Sequence, residues 1–145
     1  MDTILVGILA LATVSATVLI HYELVGKSAR LIDRLGIPNR RRILAVIAVI
    51  LLAHFLEICC YAVVYFGMHS ATTLGSIGGD FSGGALDFFY FSISNFTTLG
   101  IGDLAPLGLV KLLTGVEALN GLVLIGWSAS FTYLSLQKRW DSLRI

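Results

Sequence analysis

Long apolar runs free of charge alternate along the chain with short clusters of charge, and this pattern predicts helices that cross a bilayer. Residues 3–20 carry no ionisable side chain, and these 18 residues are long enough to span a hydrocarbon core of about 30 Å. Comparable runs occupy 43–66, interrupted by His54 and Glu57, and 112–136, interrupted by Glu117. Residues 23–35 change character: Leu24, Leu31 and Leu35 share one helical face and Lys27, Arg30 and Arg34 another. That spacing fits a helix lying in the membrane interface, or a short solvated linker helix. Gly36, Pro38 and Asn39 break the pattern before Arg40, Arg41 and Arg42. A polar loop rich in Gly, Ser and Thr follows at 67–84, and then a second kind of apolar segment at 86–97. As a helix, 86–96 is only about 16 Å long, so it enters the membrane without crossing. Pro106 prevents its continuation. A half-length helix, a glycine-containing return and a full span make a re-entrant loop, which membranes tolerate where it is buried in protein or lines a wet cavity.

Composition agrees, since 57% hydrophobic residues, 13% charged residues and a mean hydropathy of +0.88 exclude a soluble domain of this length. The expected fold class is an all-α integral membrane protein with three transmembrane helices and a re-entrant helix. Met1 and Asp2 lack the positive segment of a secretion signal, so the first span is expected to be retained. A net charge of +1 offers no concentrated basic face for nucleic acid. Nine of the ten basic residues fall between spans one and two (Lys27, Arg30, Arg34, Arg40, Arg41, Arg42) or after span three (Lys138, Arg139, Arg144), leaving Lys111 on the other side. By the positive-inside rule this predicts a multi-pass cell-membrane protein with its N-terminus outside and its C-terminus cytoplasmic. The six basic residues before span two are candidates for contact with anionic lipid. Cys59 and Cys60 are adjacent within an apolar run and read as packing residues.

The candidate chemistry lies at Thr97-Thr98-Leu99-Gly100-Ile101-Gly102-Asp103. Two glycines one residue apart allow left-handed dihedrals that align successive carbonyl oxygens. A ring of aligned carbonyls, with a hydroxyl ring below, replaces the hydration shell of an alkali ion. The chain holds this run once, so a ring requires several copies of the chain.

The stretch 90–103 (YFSISNFTTLGIGD) resembles the pore helix and signature of the potassium channel superfamily, usually Thr-Val-Gly-Tyr-Gly-Asp. Residues 51–136, with His54-Phe-Leu-Glu57 and Trp127-Ser-Ala-Ser, are similar to small bacterial proteins of the two-transmembrane ion channel family. The resemblance implies a homotetrameric cation channel conducting potassium. Its filter is Thr98, Leu99, Gly100, Ile101 and Gly102, with K⁺ at Thr98 to Ile101, and its inner helix carries a hinge glycine at Gly121. The hydropathy pattern adds an N-terminal unit over 1–42, a transmembrane helix and a cytoplasmic interfacial helix, to a pore domain expected over 43–145: outer helix 43–66, outer loop 67–84, pore helix 86–97, filter 98–103 and inner helix 107–138. Close helix packing is the alternative role for Gly121. No cofactor is implied beyond the permeant ion.

Asp80 and Asp103 are expected at the outer mouth, where carboxylates concentrate cations, and Asp87 in the first turn of the pore helix is placed to cap it. His54 and Glu57 share a face, so they can bond each other, or Glu57 can brace the filter through Ser92, Ser94 and Asn95; a buried architectural pair is the alternative. Glu117 and Asn120 pose the same choice, and Trp127 reads as a packing residue. Ile101 stands where the family places Tyr and brings no hydroxyl. Phe89, Tyr90 and Phe91 are therefore expected to hold the filter by packing, which predicts a softer ring and weaker discrimination between K⁺ and Na⁺. A weakly selective monovalent cation channel is thus the nearest alternative. The Gly-x-Gly-Asp of intramembrane aspartyl proteases also matches, but that chemistry needs a second aspartate and none lies within a span. A non-conducting subunit with the pore fold is a further alternative, and no enzyme activity is expected. His21, His54 and His69 are scattered along the sequence and suggest no metal site.

Overall fold

The computed structural model describes residues 1–34, 38–71 and 73–143. Four helices and one two-stranded sheet follow in chain order: α1 (Asp2–Arg34), α2 (Asn39–Ser70), β1 (Ser76–Gly79), α3 (Ala85–Phe96), β2 (Leu104–Leu107) and α4 (Val110–Leu143). Three of them contain segments long and apolar enough to cross a membrane, at Asp2–Ile32, Arg41–Ser70 and Val110–Gln137. Leu44, Leu51, Phe55, Val63, Leu119 and Leu122 point outward from these helices, as in a protein whose solvent is lipid. The chain is a membrane protein.

α1 runs without a break from Asp2 to Arg34, so the expected interfacial segment is the end of the first helix and no separate element. Lys27 pairs with Glu23 one turn earlier at 2.7 Å on its exposed surface. Leu35, Gly36 and Arg144 lie outside the described residues, as do the side chains of Arg40, Lys138 and Arg139. Extended Pro38 precedes α2, where a missing N–H costs no hydrogen bond.

α1, α2 and α4 pack on one another, and α3 inserts between α2 and α4. The core between them is aromatic and aliphatic, with Tyr61, Tyr65, Phe88, Phe91, Phe96, Leu113 and Leu124 buried. α3 is the half-length helix expected from its 12 residues. The carboxylate of Asp87 caps it, Oδ2 accepting from Ser82 N–H at 2.8 Å, Ser82 Oγ at 2.6 Å and Gly84 N–H at 3.3 Å. These donors, the Ser82 hydroxyl first, hold Asp87 below the usual carboxylate range.

Short strands appear where the sequence suggested only a loop. β1 pairs antiparallel with β2, Ser76 opposite Leu107 and Gly79 opposite Leu104. This tethers the outer connection to the chain leaving the return loop, and Asp80 N–H continues the tie to Asp103 O at 3.2 Å. His69 supports it from the end of α2, its Nδ1 accepting from Ile77 N–H at 3.2 Å while its ring packs on Phe81 and Phe88.

Candidate functional site

Residues 97–103 leave the C-terminal end of α3 and return along it. Four consecutive N–H groups turn back toward the helix. Thr98 N–H donates to Asn95 O at 2.9 Å, Leu99 and Gly100 N–H donate to Ser94 O at 2.9 and 3.2 Å, and Ile101 N–H donates to Ser94 Oγ at 3.4 Å. No peptide bond among the described residues is cis, and in a trans peptide the N–H and the preceding C=O point in opposite directions. The carbonyls of Thr97, Thr98, Leu99 and Gly100 therefore face away from α3, on one side of the strand.

The dihedrals follow the same logic. Thr98 (φ 58°), Gly100 (φ 54°) and Gly102 (φ 92°) are left-handed, alternating with Leu99 and Ile101. That alternation keeps successive carbonyls on one side, and glycine makes it cheap at two of the three positions. The Thr98 backbone stands in the left-handed region with a β-branched side chain, a strained arrangement that the hydrogen bonds from α3 hold in place. The helix adds to the field, since the C-terminal end of α3 abuts this strand and the negative end of its dipole favours a cation there.

Polar support reaches the strand from two directions. Ser94 supplies both its carbonyl and its hydroxyl. Tyr90 on α3 meets Asp103, whose carboxylate pushes the phenol above its ordinary range. Asp103 also accepts from Leu104 N–H at 3.0 Å. A hydroxyl missing at position 101 is thus available from position 90. Ile101 is 57% exposed within one chain, and its N–H is held by Ser94 Oγ.

The sequence-predicted brace changes partners. Glu57 does not reach Ser92, Ser94 or Asn95; its two oxygens meet His21 Nδ1 at 2.9 Å and His54 Nδ1 at 2.8 Å. The pairing of His54 with Glu57 is as the shared face suggested, and His21 is the addition. Ser92 is bound instead by Glu117 of α4: Ser92 Oγ lies 2.6 Å from Oε1, and Tyr65 Oη donates to Oε2 at 2.5 Å. Asn95 Nδ2 donates to Phe91 O within α3. Asn120 donates to Thr17 Oγ1 at 2.8 Å and to Tyr61 Oη at 3.1 Å, linking α4 to α1 and α2.

His21 and His54 converge on one carboxylate, so the scatter of histidines along the sequence does not survive folding. Their ligand atoms and those of Glu57 lie within 4.8 Å of one another. His69 stays apart, beneath β1. Gly121 faces the end of α3, where a methyl group would collide with the carbonyl of Phe96. Trp127 packs on His21 and Tyr22, with ring centroids 5.2 and 6.4 Å apart. Cys59 and Cys60 are free thiols and only half-buried.

A half-length helix, a strand with aligned carbonyls and an abutting full-length helix are the parts from which ion-selective pores are built. No curated protein and no solved structure matches the chain. A family model described as "Ion channel" matches residues 43–137, from the start of α2 almost to the end of α4. The chain belongs to this ion channel family.

Proposed function

We propose that the protein is a potassium-conducting channel whose filter is built from the backbone of Thr98, Leu99, Gly100, Ile101 and Gly102, four copies of the chain surrounding one axis. The observation that carries this reading is the run of four N–H groups held by α3, which commits the carbonyls of Thr97 to Gly100 to the opposite side. The carbonyls of Thr98, Leu99 and Gly100, with that of Ile101 next in the run, would replace the water shell of K⁺ at Thr98 to Ile101. A single strand lines one side of an ion path, so closing the path takes further copies. Leu99 and Ile101 support such assembly, because their apolar side chains are 66% and 57% exposed within one chain and a ring of neighbours would cover them.

In this reading the β1–β2 side of the molecule faces outward, with Asp80 and Asp103 at the mouth. The N-terminus lies outside the cell membrane and the C-terminus inside. Lys27, Arg30, Arg34, Arg40, Arg41 and Arg42 then meet the anionic cytoplasmic leaflet. The support from Ser94 and Tyr90 favours potassium over a weakly selective pore, since it replaces hydrogen bonds that Ile101 lacks. Purified protein in a planar bilayer, with K⁺ on one side and Na⁺ on the other, tests this reading. A current reversing close to the K⁺ equilibrium potential is expected; reversal near zero would establish weak selectivity, and no current in either direction would sink the proposal.

A further inference from the structure

The centre of the bundle holds a closed ring of four polar side chains that the filter does not use. His21 of α1, His54 and Glu57 of α2 and Ser128 of α4 meet there. Glu57 bridges the two Nδ1 atoms at 2.9 and 2.8 Å, and Ser128 Oγ bridges the two Nε2 atoms at 3.3 Å (His21) and 3.1 Å (His54). His21 and Glu57 are fully buried, and Trp127 and Phe96 cover the imidazoles. No described buried side-chain nitrogen or oxygen lacks a partner.

Counting protons fixes the charge of this ring. Four contacts need four hydrogens, one per contact. Ser128 supplies one and two neutral imidazoles supply two, which leaves one more. That fourth proton sits on Glu57, giving an all-neutral cycle, or on one imidazole beside a Glu57 carboxylate. Both forms have zero net charge, which suits a site in the bilayer interior. Removing the proton leaves the ring at −1 and sets two lone-pair nitrogens against a hydroxyl that can donate to only one. Ser128 then loses a histidine, and α4 loses a tie to α1 or α2.

We infer that His21, His54, Glu57 and Ser128 form a proton-binding site, holding one shared proton that locks α4 to α1 and α2. The other titratable groups around it are Tyr22 on α1, Cys60 and Tyr61 on α2 and, on α4, Glu117, itself held by Ser92 and Tyr65; α3 contributes the uncharged ring of Phe96. Histidine and glutamate in this number also ligate zinc. Here the paired N···O distances are those of hydrogen bonds, and Ser128 meets both outer nitrogens, which favours the proton. Under the channel reading, α4 lines the pore, so the lock would make conduction sensitive to alkaline pH.

The test is ring-nitrogen NMR of ¹⁵N-histidine-labelled full-length protein in lipid, from about pH 5 to about pH 9, the range in which imidazoles titrate. Wild type is expected to release the ring's one shared proton, seen as a change of charge or tautomer at His21 or His54, occupancy falling tenfold per pH unit above the midpoint. Glu57→Gln keeps all four hydrogen bonds, because an amide accepts on one side and donates on the other, but it has no fourth proton to lose. Its rings should stay neutral, with opposite tautomers, throughout. Ser128→Ala removes a partner of the proton-loaded ring and should move the midpoint to lower pH, a second reading should Glu57→Gln not fold. Rings that never titrate, a titration unchanged in either variant, or equimolar zinc on the purified protein would overturn the site. These spectra do not depend on conduction, so a protein that carries no current fails the channel reading alone. In a conducting protein, flux that ignores the ring's midpoint would overturn the lock on α4.

Discussion

Ser92, in the middle of α3, donates its hydroxyl to Glu117 of α4 across 2.6 Å. Both side chains are fully buried. The same hydroxyl lies 2.9 Å from Ile58 O, and the other Glu117 oxygen takes the Tyr65 phenol. One carboxylate thereby fixes α3 against α4 and α2.

Replacing Glu117 by Ala should remove the shared acceptor and leave Ser92 with Ile58 O and Tyr65 with the longer contact to Thr114 Oγ1, at roughly 0.5–1.5 kcal/mol for each lost bond. Glu117→Gln retains the acceptor toward Ser92 and should cost less than Ala. Thermal unfolding in detergent checks the order wild type, Gln, Ala. Equal melting points for Gln and Ala would show that the buried bonds contribute nothing.

Gly121 is set by contact: a Cβ there meets the carbonyl of Phe96, the last residue of α3, while Gly115 and Gly126 on the same helix face open space. Gly121→Ala must push α4 away from the end of α3 and should destabilise by about 1–3 kcal/mol, the usual cost of overpacking. Gly126→Ala should be neutral or slightly stabilising, since alanine favours helix. Comparing the two melting curves separates close packing from a hinge, because a hinge at Gly121 would alter gating with little loss of stability.

The spans were legible because a run of apolar residues long enough for a bilayer has few other uses, and the return strand because Gly-x-Gly after a half-helix demands left-handed backbone. The pairing of helices was not. Whether Glu57 or Glu117 meets Ser92 depends on how each helix is rotated about its axis, and one residue of error turns a side chain by about 100°. His21 stood at the end of an apolar run and read as its boundary. A signal was nonetheless present: Thr13, Thr17 and His21 recur every fourth residue in a segment otherwise apolar but for the exposed Ser15, and all three are buried. β1 is four residues, two of them glycine, too short to show strand alternation.

Gly100 and Gly102 should differ in their tolerance of alanine. Gly100 (φ 54°) lies in the left-handed basin that Thr98 already occupies, whereas Gly102 (φ 92°) lies beyond it. Gly100→Ala is expected to cost about 1–2 kcal/mol, and Gly102→Ala more. If the protein conducts K⁺ as proposed, the Gly102 variant should lose selectivity more completely in bilayer recordings. The reverse order would mean that side-chain room, and not backbone angle, governs the strand.

Asp87 gives the fold a defined sensitivity to acid. Its carboxylate caps α3 by accepting from Ser82 and Gly84, and these bonds depress its folded pKa below the ordinary value of 3.8. A group depressed on folding contributes stability above its unfolded pKa, and that contribution fades as pH falls through the unfolded value toward the folded one. Wild-type melting temperature should therefore drop below about pH 4 by more than that of Asp87→Asn, which cannot titrate there. At pH 7 the Asn variant should melt lower than wild type, because the charged acceptor at the helix start is gone. The two curves should converge in acid, and parallel curves from pH 7 to pH 3 would show that the cap adds nothing to stability.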